Sequence, residues 1–302
     1  MTASVRNIML AAWLLLFNVA SAWADEELLK PFVLASKSKG VLAEKVESTK
    51  AALLWQGFTI AGVYAPYPSA TIIVVTDSDL LGNAAQSEHG GFGAMQRVAV
   101  VKAKDEIQVS YTNPVYMAQA YRMKGDLETV AAKLAAALGK IEEFGAKGLS
   151  ARQLRKYHYM LGMEYFDEPS VLAEYGSFEE AAKVVEAGLA AGKSGVTKVY
   201  RIDLPEKTEA VFGVAMKVPG GGDKNMDDEY IMSEIDFKDL SSAAHLPYEI
   251  LVSGNKVYAL YARFRIATSF PDLAMMGKNS FMNIMGAPEA IRKALAQTAG
   301  GK

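Results

Sequence analysis

Hydrophobic positions along this chain switch repeatedly between helical and strand periods. Leu42, Val46 and Leu53 recur at helical spacing and predict a helix closing near Gly57. Residues 58–64 then read as a strand closed by Pro66-Tyr67-Pro68. Residues 71–76, with Ile72, Ile73, Val74 and Val75 unbroken by a polar position, predict a central strand buried on both faces. A short turn or helix at 77–83 and a flexible His89-Gly90-Gly91-Phe92-Gly93 loop follow. Residues 98–103 and 107–111 predict a hairpin around Lys104-Asp105, stopped by Asn113-Pro114. Leu127, Val130, Ala131, Leu134 and Leu138 then mark an amphipathic helix ended by Gly139.

Beyond this point Ser150 is a predicted N-cap for a helix over 151–163, and Ser177 caps another carrying Phe178, Ala181, Ala182, Val185 and Leu189 on one face. Residues 196–204 and 210–218 read as strands, the second broken by Pro219 and three glycines. Residues 248–252 and 257–266 predict a hairpin about Gly254-Asn255, and Pro288 opens a closing helix to about Thr298.

The two halves repeat one order of elements, with residues 107–111 falling beside 257–261 and the helix of 127–139 beside 288–300. We read this as a duplicated α+β unit, each copy a mainly antiparallel sheet packed with helices in a two-layer sandwich. The domain boundaries that follow are a first unit over 25–145, a helical connector over 146–177 and a second unit over 178–302.

Residues 41–123 resemble a bacterial family, domain of unknown function 302. The likeness is carried by a helix leading into Gln56-Gly57-Phe58-Thr59-Ile60, the buried strand near Ile72–Val75, and the strand stop Asn113-Pro114. It implies a compact α+β layer that often self-associates, so a homodimer is among the implied partners. It brings no activity with it.

The N-terminus alters the picture of where such a protein would work. Arg6, an apolar run over 8–19 broken by Asn18, and Ala22-Trp23-Ala24 before Asp25-Glu26-Glu27 predict an export signal over 1–24, cleaved at Asp25. An apolar core of about 12 residues is shorter than the roughly 20 needed to span a bilayer. The expected location is the periplasm or the exterior. The 302-residue chain has a net charge of −2 and no cysteine, so stability must come from burial rather than disulfides. Scattered Lys and Arg give no electrostatic footprint for nucleic acid.

Candidate chemistry is sparse. His158 shares a helical face with Leu154, Tyr157 and Leu161, which suits a core histidine; with Met160, Met163 and His89 or His245 it would offer soft ligands to copper. Met275, Met276, Met282 and Met285 form a tract read as a pliable packing surface or a partner-binding groove. Asp223, Asn225, Asp227, Glu229 and Glu234 match calcium-loop spacing, but Asp228 stands where the sharp turn requires glycine. No nucleophile elbow, zincin motif or cysteine nucleophile occurs.

The most unusual polar placement is in the predicted last strand. If 257–266 is extended, Tyr261, Arg263 and Arg265 share one face. The equivalent region of the first half supplies Tyr111, Asn113, Tyr116, Tyr121 and Arg122. These eight residues form the candidate binding site, suited to an anionic ligand with an apolar body or to an acidic protein segment. The leading expectation is therefore a non-catalytic exported binding protein for a small molecule or a periplasmic partner. A hydrolase acting on a polar anionic substrate and a Met/His copper-handling protein are the alternatives.

Overall fold

A computed structural model of the chain describes residues 27–158, 162–218, 220 and 222–301. The predicted export signal and Met160 lie outside them. The described residues form two antiparallel sheets packed with helices, an α+β architecture.

The first unit runs β1 (Phe32–Ser38), α1 (Leu42–Trp55), β2 (Thr59–Tyr64), β3 (Ala70–Thr76), α2 (Ser78–Gln86), β4 (Gln96–Ala103), β5 (Glu106–Thr112), α3 (Pro114–Ala120), α4 (Glu128–Leu138) and the short β6 (Glu142–Phe144). After a one-turn helix α5 (Ala151–Leu154), the second runs β7 (Ser170–Glu174), α6 (Phe178–Ala190), β8 (Val196–Leu204), β9 (Glu209–Met216), α7 (Asp228–Ile235), β10 (Tyr248–Ser253), β11 (Lys256–Ala259), α8 (Ala262–Ser269) and α9 (Ala287–Thr298).

Strand order is β2-β3-β4-β5-β1-β6 in one sheet and β8-β9-β10-β11-β7 in the other. Apart from the added β6, the second order is the first with each strand replaced by its sequential counterpart. The hairpins agree residue for residue: Ala103 pairs with Glu106 and Ser253 with Lys256 across two-residue turns, which makes Tyr111 the counterpart of Tyr261. The repeated order predicted from the sequence is therefore a shared topology.

β3, β4, β9 and β10 are buried almost throughout, because each sheet is covered on both faces. α1 and α4 pack on one side of the first sheet, and α6 and α9 on one side of the second. The remaining cover is exchanged between units. The 3-10 turn Gly90–Gly93 of the first unit packs on β9 and β10, while the turn Ala243–His245 of the second packs on β3, β4 and β5. Both docks are polar at their rims: Gly91 N donates to Glu209 at 3.1 Å, and Ser241 N donates to Gln108 at 3.1 Å. Edge strands β2 and β8 also meet, so closely that a Cβ at Gly62 would lie 2.6 Å from the Val199 carbonyl oxygen.

Several expectations are corrected. β1 was not foreseen, although it joins β5 to β6. β7 lies inside the stretch read as a helical connector and belongs to the second sheet through β11. The predicted helix over 151–163 is capped as expected by Ser150, with Gln153 completing the reciprocal capping pair, but it ends at Leu154. The Arg155 carbonyl instead accepts from Arg122 Nε at 2.9 Å. Most consequentially, the predicted strand over 257–266 stops at Ala259, and Ala262–Ser269 is helix α8.

Candidate functional site

The helix at 262–269 undoes the shared strand face on which the arginine site was predicted. Two residues apart on a helix point about 200° apart. Arg265 is buried, whereas Arg263 is half-buried and pairs with Glu164. The eight predicted residues divide accordingly. Tyr111 donates to the Gly139 carbonyl at 3.3 Å, and Asn113 caps α3 while donating to the Lys30 carbonyl at 2.9 Å. Arg122 pairs with Asp167, and Tyr261 is half-buried before α8. Only Tyr116, Tyr121 and Arg265 come together. Tyr116 donates to the Thr268 carbonyl at 2.8 Å, which ties α3 to its counterpart α8, and Arg265 Nη1 donates to Tyr121 Oη at 2.9 Å.

That meeting point is a closed polar centre between the units. Arg265 Nη2 also donates to the carbonyls of His245 (2.7 Å) and Pro247 (3.0 Å), and its Nε lies 3.4 Å from Glu249. Glu249 accepts in addition from Arg97 on β4. Burial opposes the charge on Arg265, but Glu249 and the phenol oxygens of Tyr121 and Tyr248 outweigh it and hold the guanidinium pKa above its ordinary value. His245 uses both ring nitrogens, to Ser269 Oγ at 2.8 Å and Tyr248 Oη at 3.0 Å. Burial, then the charges of Arg265 and Arg97, push its pKa well down, so it stays neutral. Aromatic packing seals the centre: Phe166 from the 155–169 stretch stacks on Tyr121 at 5.2 Å and approaches Phe92 and Phe264. The centre joins the two units and presents no surface to a ligand.

The metal readings resolve in a similar way. Among the described residues no group of three or more His, Asp or Glu is disposed to hold a metal ion. Asp223, Asp227, Asp228 and Glu234 serve as caps and fasteners instead. Asp227 Oδ1 accepts from Tyr230 N and its Oδ2 from Val218 N, while Asp228 turns inward to accept from Tyr64 Oη at 2.7 Å and Met216 N at 2.9 Å. His158 lies outside any helix, its ring 4.5 Å from that of Tyr165, and His89 sits 5.0 Å from the Tyr258 ring.

An open groove does exist, and it lies elsewhere in the first unit. Exposed faces of α2 and the segment 124–130 enclose about 440 Å³, lined by Ser78, Asp79, Asn83, Gln86, Lys124 and Thr129 among others. Gly82 forms its open floor, since a Cβ there would meet nothing within 4 Å. Asp77 caps α2 through Leu80 N at 2.9 Å, and Lys133 bridges Asp77 and Asp79 from α4. The far wall is fastened by Lys124 N to Ser87 Oγ at 2.9 Å and Gly125 N to Asn83 Oδ1 at 3.3 Å.

The wall is also strained. Leu127 (φ 61°), which lines the groove, occupies the left-handed region, as do Arg122 (φ 49°) just before the wall and His89 (φ 47°) just beyond α2, neither of which lines it. A bulky residue such as leucine rarely adopts this conformation; it costs on the order of 1–3 kcal/mol and persists where surrounding structure enforces it, commonly at ligand sites. Sequence reasoning missed the groove because its residues are ordinary polar types from segments some 45 positions apart.

Comparison of the chain with protein-family models, with curated proteins and with solved structures returned no match.

Proposed function

We propose that this is an exported, non-catalytic binding protein whose ligand is a small polar molecule held in the groove between α2 and residues 124–130. The strained wall beside an open groove of about 440 Å³ carries the reading. The lining mixes hydroxyls, amides, one ammonium and two carboxylates, Asp79 and Asp126, so it favours a polar ligand with both hydrogen-bond donors and acceptors and no net negative charge. This replaces the anionic ligand expected from the arginines, which are engaged with Glu249 and Glu164. No helix among the described residues is long and apolar enough to cross a membrane, which is compatible with an exported domain. Kinship with the domain of unknown function 302 units belongs to the same proposal and rests on residues 41–123.

Native mass spectrometry of the mature chain from its exporting host, followed by NMR titration with saccharides, amino acids and short peptides, tests the reading. Amide shifts should centre on residues 78–86 and 124–130, and Gly82→Phe, which fills the groove, should abolish them while Gly82→Ala keeps them. Shifts centred elsewhere, or binding unaffected by Gly82→Phe, would overturn it.

A further inference from the structure

The chain has fourteen methionines, and ten of those among the described residues fall into two groups. Met95, Met117, Met123, Met216, Met226 and Met232 are buried and fill the core. Met275, Met276, Met282 and Met285 are instead 38%, 72%, 52% and 67% exposed, all within eleven residues. A flexible apolar side chain gains nothing from water, so this concentration asks for another purpose.

Backbone geometry draws the four together. Gly277 (φ 104°) and Asn279 (φ 54°) reverse the chain, and Ser280 Oγ closes the turn on the Gly277 carbonyl at 2.8 Å. The two arms then pair, Phe281 N to Ala274 O at 2.8 Å and Met282 N to Met275 O at 3.1 Å, which sets Met275 beside Met282. Residues Phe281–Ile284 form a 3-10 turn continued by Met285 N to Met282 O at 3.4 Å. In that geometry side chains three apart eclipse one another, so Met282 and Met285 occupy one face. The loop is fixed to α7 by Asn279 Nδ2 to Glu234 O at 3.2 Å and Asn283 Nδ2 to Glu234 Oε2 at 2.8 Å. Met282 and Met285 thus share a face, Met275 lies beside Met282 across the paired arms, and Met276 is its sequence neighbour, all on an anchored, solvent-open scaffold.

We infer that this tract is a binding site for Cu(I), with Met282, Met285 and Met275 as thioether ligands and Met276 as an alternative third donor. Thioethers are soft, neutral donors that select Cu(I) over harder divalent ions. The chain has no cysteine to compete for it. The inference is independent of the groove, which lies on other elements.

Titration of the mature protein with Cu(I) against a chromogenic chelator, repeated with Ag(I) as a redox-inert probe, tests it. One equivalent should bind, and the methyl resonances of these four methionines should shift together. Replacing all four by leucine keeps shape and hydrophobicity but removes the sulfur. It should weaken binding at least 100-fold with an unchanged circular dichroism spectrum, and Met282→Leu alone should weaken it at least tenfold. Undiminished binding in the leucine variants, or methyl shifts confined to other methionines, would overturn the site. So would an absence of Cu(I) binding in the parent protein, which would leave an apolar protein-docking surface as the reading of the tract.

Discussion

Arg97 on β4 and Glu249 on β10 form an ion pair across the two units, with both side chains 1% exposed. Arg265, equally buried, approaches the same carboxylate from α8. One carboxylate therefore serves two guanidiniums in a place water does not reach. Removing it leaves two buried cations without their counter-charge, and breaking a buried pair from one side costs about 3–5 kcal/mol. Glu249→Ala should lower unfolding free energy by about that amount in denaturant titrations. A loss below about 1 kcal/mol would mean that the centre does not hold the units together.

Arg263 and Arg265, two positions apart, should behave oppositely. Arg265→Ala removes a charge partner of Glu249 and the donor to Tyr121 and two carbonyls, and should cost about 3–5 kcal/mol. Arg263 is 38% exposed in its side chain and pairs with Glu164, so Arg263→Ala should cost about 1 kcal/mol or less. Melting both variants beside the parent protein checks the contrast; equal losses would refute it.

Asp228 gives the fold a pH dependence of definite sign. Burial raises its pKa from 3.8 to about 7, against the lowering effect of its bonds from Tyr64 and Met216. Between about pH 4 and 7 the folded chain therefore holds a proton that the unfolded chain has released. Stability then falls as pH rises through this window and levels off above it, by up to about 4 kcal/mol. Asp236, raised by burial to about 6, adds a component ending lower. Asp228→Asn should flatten the profile between pH 6 and 7.5 and leave the Asp236 slope. Buried His245 and half-buried His89, whose pKa values are lowered, add an opposite slope below the ordinary histidine range, so the comparison decides: identical slopes in Asp228→Asn and the parent protein would contradict the assignment.

Gly82 lies within α2 and its Cα faces open space. Gly82→Ala should stabilise the protein by about 0.5–1 kcal/mol, since glycine in a helix interior is that much less favourable than alanine. A destabilised Gly82→Ala protein would show that the floor of the groove is less open than described.

Legibility in the sequence followed the strength of local signals. Hairpins β4–β5 and β10–β11 could be read because their turn residues and β-branched cores are local signals, and their alignment correctly paired Tyr111 with Tyr261. α8 could not be read. Its sequence alternates Phe264 and Ile266 with Arg263 and Arg265, as a half-buried strand would. In the fold nearly every residue of α8 is buried, Arg265 included. A helix enclosed on all sides has no polar face to betray its period. Nor does an arginine announce that it will be neutralised by a glutamate sixteen positions earlier on another element. The groove left still less trace, since Gly82, Asn83 and Lys124 become a site only when α2 and the 124–130 segment are brought together.

The exchanged turns give the molecule the anatomy of a dimer contained in one polypeptide. Cut within residues 155–169, each half would lose the piece that covers its sheet, Gly90–Gly93 in one case and Ala243–His245 in the other, and would expose β3 and β4 or β9 and β10 to water. Neither half is then a self-sufficient folding unit despite its complete strand order, and heating should melt both in a single cooperative transition. The tether supplies a high local concentration of each half for the other, so separately produced halves should find one another slowly and only when mixed.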